Sequence, residues 1–229
     1  MTCVHRNIEA ALDRWTECHW YIHQMEAHYH EPDLFRYSLN SYIRAVKEIP
    51  QILKMELQNH PSFKSTLKPQ IDKLRADALF DRLAKHRDFI VHQGMLEILS
   101  GGMVGTTEGR GFKIGVGFNV APFESSDEAY ERYKKACQSN KIFRGAFGPD
   151  CDSSPCIRRE WKLPEFPDRD VLEVAVSAWG KAGKVISCIL VSLGGEPIDL
   201  SFSCRHDPER VKMKVFSQQE FFESVDGRA

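Results

Sequence analysis

Apolar side chains recur at helical spacing through the first hundred residues. They return every three or four positions in three successive stretches, which begin near Asn7, Pro32 and Thr66. Pro32 suits the first turn of the second helix, and Gly94 suits the end of the third. Long helices joined by short connections are typical of antiparallel neighbours in a bundle. The pattern therefore predicts a helical core over about residues 5–95.

The hydrophobic period changes after Gly94. Residues 96–125 contain two glycine-rich, β-prone runs with a glycine-rich turn between them, which predicts a β-hairpin. Beyond this insert we expect a short helix over 126–139 and a loop over 140–167, which is rich in Gly, Pro, Asp and Ser. Two short strands are expected within 198–216.

A last apolar helical stripe runs over 168–193, where Trp179 and Ile186 share a face with several other apolar residues. We expect this helix to complete the bundle. The predicted fold class is mainly α (α+β): an antiparallel helical bundle of four to five helices with a small β-hairpin or sheet decoration. The whole chain, 1–229, is interpreted as a single domain.

Composition narrows the functional classes. The net charge is -1, with 42% hydrophobic and 28% charged residues, so the chain is globular and carries no overall basic field. An RNA site would need a local patch, and seven basic residues do lie between Lys64 and Arg87. The seven cysteines form no CxxC pair, no signal peptide opens the chain, and no apolar run reaches about 18 residues. We therefore expect a cytoplasmic protein without membrane association.

The end of the third helix carries the strongest candidate chemistry, in the run Arg87-Asp88-Phe89-Ile90-Val91-His92. Asp88 and His92 are four positions apart on one helix face, where a carboxylate can orient an imidazole for proton transfer. Arg87 lies about 140° around the helix from His92. One straight helix does not aim both at the same atom, and a second copy of the chain would remove that difficulty.

This run, LAKHRDFIVHQG, resembles the Arg-x4-6-His signature of the HEPN superfamily, and the stretch from Tyr29 to Phe35 is similar to the start of the second helix in prokaryotic members. The resemblance covers about residues 5–95 and the helix at 168–193. It implies a metal-independent endoribonuclease that acts as a homodimer and needs no cofactor. Arg87 would stabilise the phosphate, His92 would transfer protons, and Asp88 would orient or assist.

The same resemblance leaves a second hypothesis open, because some HEPN proteins are non-catalytic binding or regulatory modules. In that case Arg87 and His92 would stabilise a dimer or hold a ligand. The expected partners are a second copy of the chain, RNA, and a partner protein or antitoxin. Stress response and phage defence are the settings that fit such a protein.

A weaker third hypothesis concerns metal. His19, His23, Glu26 and His30 fall along one stripe of the first helix, and two histidines four residues apart can chelate zinc, nickel or iron. Trp15 and Ile22 border that stripe, which equally fits a packed helix face.

Overall fold

The computed structural model describes residues 7–92, 96–109, 111–137, 153–200 and 208–217, with the side chains of residues 89–92, 114, 135–137 and 208–209 outside the description. The chain forms two compact units, each built from three separate stretches of sequence. Unit 1 comprises Met1–Glu26, Arg36–Glu97 and Val171–His206, and unit 2 comprises Ala27–Phe35, Ile98–Asp170 and Asp207–Ala229.

Seven α-helices lie within the described residues. They are α1 (Glu9–Ala27), α2 (Pro32–Leu57), α3 (Lys68–Arg75), α4 (Ala78–His92), α5 (Ser126–Cys137), α6 (Val171–Ser192) and α7 (Pro208–Lys212), and a five-residue π-helix, Phe63–Leu67, leads into α3. The helical periodicity of the sequence thus corresponds to α1, α2 and α6 as predicted.

The core of unit 1 is organised around α6, eleven of whose residues are buried. The Tyr42 hydroxyl of α2 donates a hydrogen bond to the carbonyl oxygen of Ala175 at 2.6 Å. Gly183 lets the Trp15 ring approach α6 closely, because a Cβ there would lie 2.8 Å from the Trp15 Cζ2 atom. A hydrogen bond therefore joins α2 to α6, and the close approach of Trp15 to Gly183 joins α1 to α6.

The α6 helix is also the one described helix that is long and apolar enough to cross a membrane by length and composition. Half of its most apolar window is buried inside the protein, and the core helix of a soluble protein passes the same test.

The predicted third helix is not continuous. It is divided at Ala76 and Asp77 into α3 and α4. The Asp77 Oδ1 atom accepts a hydrogen bond from the backbone N–H of Leu79 at 2.9 Å, as an N-cap residue does at the start of a helix. The apolar stripe runs through this junction without interruption, which is why periodicity alone joined the two helices.

Unit 2 contains an antiparallel sheet of four described strands: β1 (Leu99–Glu108), β2 (Gly111–Phe118), β3 (Pro155–Lys162) and β4 (Met213–Val215). Their order is β2-β1-β3-β4. β1 and β2 form the predicted hairpin, with Val104 opposite Val116 and a bulge between Thr106 and Thr107. Gly109 adopts a φ of 58° in the turn, a conformation that glycine tolerates without steric cost.

The expectation of a small β decoration on a bundle of four to five helices is wrong. The sheet curls into a half-barrel and encloses a hydrophobic core of its own with α5, formed by Val104, Val120, Ala129, Tyr130 and Ile157. Phe216 stacks on Tyr130 with ring centroids 3.7 Å apart. A core of this kind makes the sheet a principal layer of unit 2.

Two local predictions also need correction. Pro155–Lys162 lies within the predicted 140–167 loop but forms β3, where Ile157, Arg159 and Trp161 are buried on alternate positions. Because the charged Arg159 occupies one of these buried positions, the sequence does not show the alternation of apolar and polar residues that is typical of a strand. In the 198–216 segment, residues 201–207 lie outside the described residues. Among the described ones, 198–200 form no strand, 208–212 form α7, and Met213–Val215 pairs with β3.

Candidate functional site

Arg87 and Asp88 lie near the end of α4 in unit 1, at the surface. The Asp88 carboxylate is about half exposed, and its Oδ1 atom accepts hydrogen bonds from the Arg87 guanidinium at 3.1 Å and from Lys47 Nζ at 2.6 Å. Lys47 belongs to α2 and also donates to the Ala84 carbonyl at 3.4 Å. One cation from α2 and one from α4 are thus gathered on the carboxylate of Asp88 near the end of α4.

The pairing has an electrostatic consequence. Hydrogen bonds from Lys47 and then Arg87 hold the pKa of Asp88 below its ordinary value. The carboxylate stays ionised at neutral pH, and the trio retains one net positive charge. A phosphate group of a ligand would meet two cations already held side by side.

His92 is the last residue of α4. Its side chain lies outside the described residues, so the predicted Asp88–His92 hydrogen bond stays a prediction. The helix assignment alone places Arg87, Asp88 and His92 within the last six residues of one helix.

Lys47 is the residue of this cluster that sequence reasoning missed. It lies 41 positions before Asp88. It belongs to α2, whose sequence pattern indicated only the apolar face of the helix. No local motif links the two, because the contact depends on how α2 and α4 pack within unit 1.

The helix-one histidines in unit 1 take part in aromatic packing. His19 stacks on Trp179 with ring centroids 4.8 Å apart, and the ring of His23 meets His19 edge-on at 4.6 Å. His23 Nδ1 lies 3.1 Å from Glu26 Oε2. His19, His23 and Glu26 are therefore neighbours on a packed face of α1. The apolar residues Trp15 and Ile22 had indicated such a face.

His30, the fourth candidate, belongs to unit 2. Its Nδ1 lies 2.8 Å from the Ser126 hydroxyl and its Nε2 lies 3.0 Å from the Val211 carbonyl oxygen. Because that carbonyl only accepts, Nε2 carries the proton and Nδ1 accepts from Ser126. Both ring nitrogens are thus occupied, and within the described parts of the chain no three His, Cys, Asp or Glu residues form a group that could hold a metal ion.

Unit 2 holds a buried polar cluster that the sequence did not indicate. Arg159 is fully buried, and its three donor nitrogens reach Ser100 Oγ (3.1 Å), the Glu124 carbonyl (2.7 Å) and the Ala121 carbonyl (3.3 Å). Its guanidinium lies over the Trp161 ring at 3.8 Å, and burial lowers the pKa of Arg159 to about 10. The backbone carbonyls and the ring replace the water that this cation lost.

Asp170 completes that cluster. It accepts from the Tyr29 hydroxyl at 2.5 Å and from the Trp161 backbone N–H at 3.1 Å, and the Trp161 indole donates to the Tyr29 carbonyl at 2.8 Å. The donors and acceptors of this cluster satisfy one another inside unit 2. It therefore connects the segments of the unit rather than offering groups to a substrate.

Comparison with known proteins finds one family. Residues 4–106 are similar to the family described as bacteriophage lambda protein ea47. The matched stretch is a little under half of the chain and covers α1 to α4 and most of β1, with Arg87, Asp88 and His92 inside it. No curated protein and no solved structure matches the chain.

Proposed function

We propose that this protein is a metal-independent endoribonuclease of HEPN type, with its site at the end of α4. The observation that carries the proposal is the pairing of Lys47 and Arg87 at a half-exposed position five residues before His92. Two cations held in place supply the phosphate recognition that RNA cleavage needs. Lys47 extends the Arg-x4-His pattern by a residue from a second helix.

The reaction would proceed by attack of an RNA 2′-hydroxyl on the adjacent phosphorus. His92 accepts the hydroxyl proton or supplies the proton that the leaving 5′-oxygen takes when the P–O5′ bond breaks. The products are a 2′,3′-cyclic phosphate and a 5′-hydroxyl. Arg87 and Lys47 stabilise the charge that develops on the phosphate oxygens.

Asp88 has a positioning role in this proposal. Its lowered pKa makes it a weak base, so proton transfer falls to His92, whose class of side chain titrates near neutral pH. Asp88 keeps the two cations together when no RNA is bound.

Positions 87 and 92 lie about 140° apart around a straight helix, so the complete site would draw Arg87 from one copy and His92 from a second copy in a homodimer. Analytical ultracentrifugation at micromolar concentration tests the dimer. A purely monomeric protein that cleaves RNA would contradict the shared site.

The direct test is RNA cleavage in EDTA by the wild type and by the Arg87→Ala, His92→Ala and Lys47→Ala variants, with product ends identified. We expect loss of cleavage in the first two and a reduced rate in the third. Lys85→Ala is the matched control, because Lys85 is an exposed lysine of α4 that pairs with Asp81. Full cleavage by His92→Ala would overturn the proposal.

A binding or regulatory module is the second candidate function. Lys47 and Arg87 both donate hydrogen bonds to Asp88, and this pairing favours the second candidate. In such a site a bound phosphate would replace the carboxylate as the partner of the two cations, and no bond would be broken. A folded wild type that binds RNA in an Arg87-dependent way, and leaves a broad RNA panel intact, would favour this candidate.

A further inference from the structure

A cleft in unit 1 lies between α3 and α6 and has a volume of about 380 Å³. This volume falls within the range of small-molecule sites. The helices are bridged on both sides of it: Gln70 Nε2 donates to Ser192 Oγ at 3.1 Å, and Lys181 Nζ donates to Asp77 Oδ2 at 2.5 Å. The first bridge joins the start of α3 to the end of α6, and the second joins the turn after α3 to the middle of α6.

The wall of the cleft is apolar. It is formed by the buried Leu74, the half-buried Val185 and the exposed Cys188. Aliphatic surface of this kind favours the apolar body of a ligand, since its removal from water is favourable.

The charge at the cleft is positive. Lys73, Lys181 and Lys184 line it together with the single carboxylate of Asp77. Asp77 is engaged by Lys181 and by the N-terminus of α4, so among the described residues that line the cleft no carboxylate is left to pair with the exposed Lys73 and Lys184. An anion would be attracted to these two lysines.

We propose that this cleft binds a small amphipathic organic anion, with its carboxylate or sulfonate between Lys73 and Lys184 and its apolar body against Leu74, Val185 and Cys188. The site is independent of the proposed RNA chemistry. The aliphatic wall of the cleft does not provide aromatic rings on which nucleobases could stack.

The first probe is 1-anilinonaphthalene-8-sulfonate, whose fluorescence rises in an apolar site, with decanoate as the competitor. We expect saturable binding that decanoate displaces. The Lys73→Glu/Lys184→Glu variant should weaken the affinity by roughly tenfold or more, because like charges would then face the anion. Lys64→Glu is the matched control: an exposed lysine that precedes α3 and does not line the cleft.

A second variant tests the apolar wall. Cys188→Phe leaves the lysines unchanged and fills the cleft from an exposed position, so it should abolish the fluorescence increase while circular dichroism confirms the fold. In the wild type, decanoate should slow iodoacetamide alkylation of Cys188 measured on its own peptide. This last measurement decides the proposal on its own if the charge-reversal variant does not fold.

Three outcomes would overturn the proposal. They are a fluorescence increase that survives both variants, alkylation of Cys188 that decanoate leaves unchanged, and displacement of the probe by an RNA oligonucleotide but not by decanoate. The cleavage assay of the Arg87→Ala and His92→Ala variants does not depend on this cleft, so the two proposals fail separately.

Discussion

Trp15 and Trp179 form a reciprocal pair across α1 and α6. Their rings stack with centroids 4.6 Å apart and planes 5° apart, and each indole N–H donates to the backbone carbonyl of the other residue at 3.1 Å. The pair joins two elements separated by 164 positions in sequence. Ring stacking and two hydrogen bonds therefore both stabilise the contact between α1 and α6 within unit 1.

Removing the buried ring of this pair should be costly. Trp179→Ala is expected to lower the free energy of unfolding by roughly 3–5 kcal/mol, because it leaves a cavity in the core. Trp179→Phe keeps an aromatic ring and loses the N–H donor, for a cost of about 1 kcal/mol from that hydrogen bond. Urea denaturation measures the free energy of unfolding of both variants. Trp20→Ala is the control, because Trp20 is 55% exposed. Equal costs for Trp179→Ala and Trp20→Ala would contradict the structure.

Asp77 should matter more than its neighbours on α4. Asp77→Ala removes the cap of α4 and the partner of Lys181, and we expect a loss of about 1–2 kcal/mol in the free energy of unfolding. Asp81→Ala, which removes only an exposed pair with Lys85, should cost less than about 0.5 kcal/mol. The comparison is made by urea denaturation at pH 7. A larger effect at Asp81 would contradict the capping role of Asp77.

His30 should make unit 2 sensitive to acid. Burial lowers the pKa of His30 from 6.5 to about 4. Between these values the unfolded chain binds the proton that the folded chain excludes, so stability falls as pH decreases from 6.5 toward 4. The full loss is roughly 3 kcal/mol at 1.36 kcal/mol per pKa unit.

The measurement for His30 is urea denaturation of the whole protein, followed between pH 7 and pH 4 for the wild type and His30→Gln. The glutamine does not titrate, and its amide can still donate toward the Val211 carbonyl. We expect the wild type to lose more stability than the variant over this range. Parallel pH profiles of the two proteins would contradict the prediction.

Asp88→Asn separates positioning from binding in the proposed site. Without the carboxylate, Lys47 and Arg87 lose their shared partner. RNA should bind more tightly, on the order of threefold at low salt, because a repelling charge is gone. Cleavage should slow by roughly tenfold, because the two cations are less well placed.

Fluorescence anisotropy and single-turnover cleavage give these two quantities for Asp88→Asn. Asp81→Asn makes the same chemical change at an exposed carboxylate in the first turn of α4. Weaker RNA binding by Asp88→Asn would show that the carboxylate contacts the RNA through its own groups.

Local patterns predicted the parts of the fold that depend on local interactions. The stripes of α1, α2 and α6 and the hairpin of β1 and β2 follow from spacing and turn chemistry within each segment. The division at Asp77 did not, since Leu74 and Leu79 continue one apolar stripe across it. β3 was missed because its buried face includes Arg159, whose partners come from distant loops of unit 2.

The candidate site shows the same limit. Arg87 and Asp88 were recognised from a short motif on one helix, but Lys47 joins them only through the packing of α2 on α4. The cleft between α3 and α6 likewise has no local signature, because its lysines come from two helices more than a hundred positions apart.

The discontinuity of unit 1 affects how the protein emerges from the ribosome. The second stretch of unit 1 ends at Glu97, and the third begins at Val171. The faces of α1 and α2 that pack on α6 therefore stay uncovered until α6 has been synthesised. At about 5–20 residues per second, synthesis of the residues between Glu97 and Val171 takes roughly 4–15 s. Throughout it the apolar faces that α6 will cover, including the Trp15 ring, are open to other chains and to chaperones in the cell.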